Sequence, residues 1–148
     1  MPGQHKRKKS VRQKLNAMSA EFKNKNVLIV DDSIVRGTTS KEIVQMAKDA
    51  GANKVFFTSA APPVRFPHVY GINMPNRDEL IAHDKTISEI ADQLEIDSLI
   101  YQSVENLRKS IISDSAIQDL EMSCFTGSYV TGTVNQEYLN WVENEYKS

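Results

Sequence analysis

Val27 to Val30 is a continuous apolar run that stops abruptly at Asp31-Asp32, the pattern of a buried parallel strand. From Thr38 to about Ala50, Ile43, Val44 and Ala47 fall on one helical face. Thr38, Thr39 or Ser40 is placed to cap that helix, and Gly51 stands just past its end as a stop. Val55 to Thr58 predicts the next strand. Strand, 13-residue helix and strand make a βαβ unit with a right-handed crossover. Pro62, Pro63 and Pro67 then impose an extended or turning path. Further on, the pattern predicts short helices over Asp78 to Ala82 and Ile87 to Leu94, a strand over Ser98 to Tyr101, and a helix over Val104 to Ile111. Val11, Leu15 and Met18 give residues 11–21 a weak helical period, whereas residues 1–10 read as a loop or tail. The last 37 residues alternate short apolar and polar patches and predict no definite element. The class is α/β.

Composition narrows this without changing it. The chain has 148 residues, 40% hydrophobic and 25% charged, which is one domain's worth and excludes collagen, full disorder and a disulfide-rich scaffold. A single cysteine, Cys124, cannot form an internal disulfide. No apolar run approaches the roughly 18 residues of a membrane span, and nothing resembles a signal peptide, so a soluble, cytoplasmic protein is expected. The formal net charge of −1 hides an asymmetry. Lys6, Arg7, Lys8, Lys9, Arg12 and Lys14 crowd the first 14 residues without an acid, leaving 12 basic against 19 acidic side chains, a net of −7, in the rest. A basic arm on an acidic body faces something anionic, and the acidity of the body argues against a nucleic-acid-binding face.

The stretch that carries chemistry runs from Val27 to Ser40. In an open parallel sheet, ligands gather beyond the carboxyl ends of the strands. Asp31 and Asp32 there can accept bonds from vicinal sugar hydroxyls or help hold a hard cation such as Mg²⁺. The chain then enters a helix whose first N–H groups lack internal partners, and a phosphate collects those donors together with the helix dipole. Gly37 permits close backbone approach, and Ser33, Thr38, Thr39 and Ser40 add hydroxyls. Carboxylates for a ribose and a turn for its phosphate describe a sugar-phosphate site. The plain alternative is that Asp-Asp-Ser ends a strand and Thr-Thr-Ser caps a helix.

This segment resembles the phosphoribosyl pyrophosphate (PRPP) signature of phosphoribosyltransferases, and most closely that of the amidophosphoribosyltransferase (glutamine PRPP amidotransferase) family. Met1-Pro2-Gly3-Gln4, Asp31 to Ser40, Ser59-Ala60-Ala61-Pro62, Val69-Tyr70-Gly71-Ile72, Glu79-Leu80-Ile81-Ala82-His83 and Cys124-Phe125-Thr126-Gly127 all resemble that family in order and spacing. The resemblance implies a type I phosphoribosyltransferase-like parallel sheet flanked by helices, incomplete at its N-terminal side. Residues 1–15 would be the latter part of a flexible active-site loop, 16–112 the partial core and 113–148 a C-terminal extension.

In the family, ammonia derived from glutamine attacks C1 of PRPP and displaces pyrophosphate, giving 5-phosphoribosylamine, the first step of de novo purine biosynthesis. The resemblance implies that Asp31 and Asp32 meet the ribose hydroxyls and Mg²⁺. It sets Ser33, Ile34, Val35, Arg36, Gly37, Thr38 and Thr39 at the 5′-phosphate. Lys6, Arg7, Lys8, Lys9 and Arg12 would belong to a lid over bound PRPP; a solvated loop and a targeting run, which Lys-Arg-Lys-Lys mimics, are the alternatives. Leu80 matches a position lining the ammonia channel, against the simpler reading of a packing leucine. Arg65 could contact substrate or brace its loop. Purine nucleotides as feedback inhibitors and a homo-oligomer are further implications.

The departures from the family are equally informative. The chain lacks the glutaminase domain that supplies ammonia, and its first residues match the interior of the phosphoribosyltransferase domain. A C-terminal fragment is thus expected, with sheet edges and apolar helix faces uncovered. One branch of the family holds an iron–sulfur cluster through cysteines in this region. Here His68 stands where one ligand would be, with Gln118 and Glu121 in place of a Cys-x-x-Cys pair, so no cluster is expected. Cys124 reads as structural rather than nucleophilic, and the scattered histidines as satisfied or exposed. A phosphoacceptor receiver domain also sets two acids after a strand, but Gly71 occupies the position that would need the phosphorylated aspartate. The stronger rival is a non-catalytic PRPP-binding regulatory module.

Overall fold

Three parallel strands in the order β1-β2-β3 form the sheet of the computed structural model, which describes residues 19–74 and 76–147. In chain order the elements are α1 (Ser19–Phe22), β1 (Asn26–Asp31), α2 (Thr38–Asp49), β2 (Lys54–Ser59), a 3₁₀ turn (Arg77–Glu79), α3 (Ile87–Leu94), β3 (Ser98–Tyr101), α4 (Val104–Ile112), α5 (Ser123–Thr126) and α6 (Gln136–Lys147). The βαβ unit is as the apolar pattern predicts. β1 and β2 pair from Asn26↔Lys54 to Asp31↔Ser59, and β2 and β3 from Phe56↔Ser98 to Ser59↔Tyr101.

Local signals account for most boundaries. Gly51, at φ 89°, ends α2, and the Gly51 and Ala52 N–H groups bond back to the carbonyls of Lys48 and Ala47 at 2.9 and 3.1 Å. Thr86 and Glu89 cap α3 reciprocally, side chain to backbone in both directions. Ser103 caps α4 through the Asn106 N–H. Two expectations are corrected. No Thr or Ser hydroxyl caps α2: Gly37, in the left-handed region, is its N-cap residue. The helix predicted over Asp78 to Ala82 is only the 3₁₀ turn, because Leu80 is extended and the Ile81 N–H bonds across to the Val35 carbonyl instead of back along a helix.

The core lies on one face of the sheet. Val44 and Ala47 of α2 and Ile90 and Leu94 of α3 close over Val55 and Phe57 of β2 and Leu99 of β3, with Ile34, Ile81 and Ala82 at one end. The opposite face is open among the described residues. Leu28, Val30 and Ile100 are 57%, 69% and 57% exposed. Register sets Leu28 beside Phe56, and Thr58 between Val30 and Ile100, so this is one continuous stripe. The apolar run of β1 thus alternates in burial instead of being covered throughout. What lies uncovered is a sheet face.

Residues 121–131, within the stretch unreadable from the pattern, join the proline-rich loop. The Arg65 and Phe66 N–H groups both donate to the Cys124 carbonyl, at 2.9 and 3.0 Å. Tyr129 Oη donates to the Pro67 carbonyl at 2.8 Å, and Tyr70 Oη meets Thr131 Oγ1 at 3.0 Å. Lys6, Arg7, Lys8, Lys9 and Arg12, and most of the weak helix over 11–21, lie outside the described residues.

Candidate functional site

β1 ends at Asp31, and its carboxyl end is fixed by the neighbouring connection. The Ala60 and Ala61 N–H groups donate to the Asp31 and Asp32 carbonyls at 2.9 and 2.8 Å. The Asp31 carboxylate takes the Asp32 N–H at 3.0 Å, and the Asp32 carboxylate takes the Ser33 N–H at 2.6 Å. Each carboxylate uses its Oδ1 in these bonds. Asp32 is exposed and Asp31 half-buried. Both acids therefore stand at the strand end, held by backbone bonds, as a sugar diol or a hard cation requires.

The turn that follows has one side chain in the core and the rest at the surface. Ile34 is 1% exposed and pins the turn to the core. Gly37 makes the switch into α2 at φ 75°, and a Cβ built there would stand 2.3 Å from Ile81 Cδ1. Only glycine fits. No side chain caps α2, so the N–H groups of its first turn are left to an external acceptor, where the dipole favours an anion. Thr38 and Thr39 are exposed at this end, whereas Ser40 is buried. Ser33, Val35, Gly37, Thr38 and Thr39 are thus brought to one turn beside the two acids.

Arg36 is the exception in its chemistry. Its Nε donates to Glu79 Oε2 at 2.5 Å, so its side chain braces the turn against the following segment. Arg65 braces too: Nη1 donates to the Ala82 and Lys85 carbonyls at 2.7 and 2.9 Å. Leu80 is 3% exposed, packed within the same segment. Sequence reasoning gave no role to Glu79 or Ile81, which support the turn directly. Both lie in the Glu79 to His83 stretch that carries the family resemblance, and that was the available signal.

A metal at this site would be shared with its ligand. Among the described residues no group of three or more His, Cys, Asp or Glu side chains is arranged to hold an ion. Two adjacent hard carboxylates nonetheless suit Mg²⁺, which takes one or two protein carboxylates and completes its shell from substrate oxygens and water.

Two of the three positions read as replacing cluster ligands, His68 and Glu121, also meet. His68 Nε2 lies 3.3 Å from Glu121 Oε2, while Nδ1 accepts the Tyr70 and Ile72 N–H groups at 3.3 Å each. Two donors at Nδ1 assign the proton to Nε2, which then donates to Glu121. Burial raises the Glu121 carboxyl, but hydrogen bonding from Ser123 and the interaction with His68 outweigh it, and the net shift is downward. Burial pushes the Cys124 thiol up, with the Glu121 charge adding to it, which fits a structural rather than a nucleophilic cysteine. Among the described residues no helix is long and apolar enough to cross a membrane.

No family model matches the chain. It is 54% identical over 146 residues to amidophosphoribosyltransferase of Haemophilus influenzae, covering 98% of this chain and 29% of that protein. The Escherichia coli protein of the same name is 54% identical over 144 residues. The Saccharomyces cerevisiae one is 51% identical over 148 residues, all of this chain and 29% of its own length. A solved structure of glutamine phosphoribosylpyrophosphate amidotransferase from B. subtilis, complexed with ADP and GMP, matches with a TM-score of 0.68 at 39% identity. That match covers 76% of this chain and 25% of that one. The chain therefore spans under a third of the length of the relatives it matches. In sequence and in fold alike, it belongs to the amidophosphoribosyltransferase family, as a segment of it.

Proposed function

We propose that this chain carries the sugar-phosphate part of an amidophosphoribosyltransferase active site, which binds PRPP for conversion to 5-phosphoribosylamine at the start of purine biosynthesis. The carrying observation is the β1–α2 turn: two carboxylates fixed at a strand end, then a glycine-built entry into a helix whose first N–H groups no side chain caps. Asp31 and Asp32 accept the ribose hydroxyls, and the backbone and hydroxyls from Ser33 to Thr39 take the 5′-phosphate. Charge develops on the ribose as an oxocarbenium-like centre and on the departing pyrophosphate, and fixed groups of opposite sign lower that barrier. The two aspartates answer the positive ribose. Bound Mg²⁺, held by Asp31 and Asp32 with PRPP, supplies charge neutralisation for the pyrophosphate.

Ammonia from glutamine comes from a part of the longer relatives that this chain does not match, and Leu80 lines its path. Lys6, Arg7, Lys8, Lys9 and Arg12 belong to a lid that closes over a polyanionic substrate and excludes water. Purine nucleotides act as inhibitors of the homo-oligomeric whole, a reading supported by the ADP and GMP in the B. subtilis complex. His68 and Glu121 take the place of an iron–sulfur cluster in joining the loop to the C-terminal segment.

Calorimetric titration of PRPP with Mg²⁺, beside ribose 5-phosphate and an Asp31→Asn/Asp32→Asn double variant, tests the site. Saturable Mg²⁺-dependent binding that the double variant loses is expected. No binding by a chain with folded circular dichroism overturns the claim that these residues suffice. Binding without ammonia-dependent pyrophosphate release, in a chain completed to the relatives' length, replaces the enzyme with a regulatory module.

A further inference from the structure

The β1–α2 turn is held from outside itself. Ile81 N–H donates to the Val35 carbonyl at 2.9 Å, Glu79 takes the Arg36 Nε, and the Ile81 side chain fills the space against Gly37. The segment that does this is anchored in turn to α6. Arg77 presents Nε and Nη2 to the two oxygens of Glu143 at 2.6 and 2.9 Å, and Nη2 also donates to Asn140 Oδ1 at 2.8 Å. Glu143 Oε1 additionally takes the Arg77 backbone N–H at 3.2 Å.

This is a two-pronged ion pair with a nearly buried acid, Glu143 being 8% exposed, which fixes direction as well as distance. There is little slack between the anchors. The Asn76 side chain accepts the Asp78 N–H at 3.0 Å, and the Leu80 N–H closes the 3₁₀ turn on the Arg77 carbonyl at 2.9 Å. Leu80, Ile81 and Ala82 are then buried in sequence. A shift of Arg77 is therefore passed to Ile81, and from Ile81 to Val35 and Gly37.

We propose that Glu143 is a positioning residue for the phosphate turn, acting through Arg77 and the 77–81 segment to set where Val35, Arg36 and Gly37 offer their backbone to an anion. The proposal rests on the reading of that turn as a sugar-phosphate site. Glu143 touches no substrate. It sets the angle of a turn built from residues far earlier in the chain.

The test uses the whole 148-residue chain with Glu143→Gln and Glu143→Asp, followed by amide hydrogen exchange and by titration of ribose 5-phosphate with Mg²⁺. In Glu143→Gln, exchange at Ile81 is expected to speed up about tenfold, and the dissociation constant for ribose 5-phosphate to rise about three- to tenfold. The Phe57 amide of β2 should stay protected, and Glu143→Asp should recover part of both effects. Faster exchange confined to residues 77–79, with Ile81 and the affinity unchanged, overturns the proposal. So does acceleration at Phe57 equal to that at Ile81, which marks a general loss of stability. Absence of ribose 5-phosphate binding by the unsubstituted chain defeats the sugar-phosphate reading, while Ile81 exchange still decides whether Glu143 holds the turn.

Discussion

Two loop regions of this molecule treat their polar groups in opposite ways. In the β1–α2 turn, Asp32, Thr38 and Thr39 face solvent and no side chain caps the helix. In the region joining residues 65–72 to 121–129, most polar side chains are committed to partners within the chain, the buried Ser123 Oγ excepted. Both ring nitrogens of His68, Nη1 of Arg65 and the hydroxyl of Tyr129 have partners within the chain. Unsatisfied donors at a surface helix end cost little in water and become useful when an anion arrives. Donors and acceptors beneath a loop have no such recourse and must be paired. The first region leaves its polar groups open to solvent, and the second uses its own to hold a loop in shape.

The largest effect expected on this contrast is at Gly37. Gly37→Ala should cost about 3 kcal/mol in urea unfolding, combining left-handed strain with a clash against Ile81, and should abolish ribose 5-phosphate binding. Gly71→Ala is the sharpening control: φ is 106° there but a Cβ meets nothing within 4 Å, so only the strain of about 1–2 kcal/mol remains. If the two substitutions cost the same, close packing on Ile81 is not what selects glycine at the turn.

Arg65→Met should come next, at about 2 kcal/mol, because the Ala82 and Lys85 carbonyls lose a charged donor. Unfolding that leaves this variant as stable as the parent would break the claim that the second region carries structural weight. Glu121→Gln should act through pH. The folded-state value of Glu121 lies below the ordinary 4.5, so the unfolded chain binds the proton first and the carboxylate's contribution is present above that value. The advantage of the parent over the variant should therefore shrink as pH falls through the folded value. A constant difference across that window would show that Glu121 contributes by packing alone. Smallest of all, the Cys124 thiol, pushed up by burial, should react with a disulfide reagent near pH 7 more slowly than free cysteine. Reaction at the free rate would show that this region opens readily.

The candidate site was legible where its residues are consecutive. Asp31 to Thr39 can be read as chemistry because strand end, turn and helix start follow one another in the chain, and each has a local residue signature. The capping of α2 was misread for a related reason: Thr38, Thr39 and Ser40 carry the right local signature, yet the helix is entered through Gly37 in the left-handed region, packed against Ile81 of a distant segment. The Arg77–Glu143 pair, 66 residues apart, leaves no signature at all. Nor do the Arg65 bonds, since a charged residue in an irregular stretch looks alike whether solvated or paired, and only the family resemblance pointed to His68 and Glu121 together.

Periodicity and turn chemistry by themselves determined the βαβ unit, the parallel class, the ends of α2 and α3, and the position of the acids beyond a strand. Those properties depend on backbone preferences within a few residues and on which face of an element is apolar. Only the tertiary structure decided that the core fills one face of the sheet while Leu28, Val30 and Ile100 stay open on the other. It alone decided that Arg36 and Arg65 brace their loops through their side chains, and that the C-terminal helix reaches back to the segment beneath the turn. These outcomes depend on which surfaces meet after the chain has folded back, and shape complementarity between distant segments is not written in any local pattern.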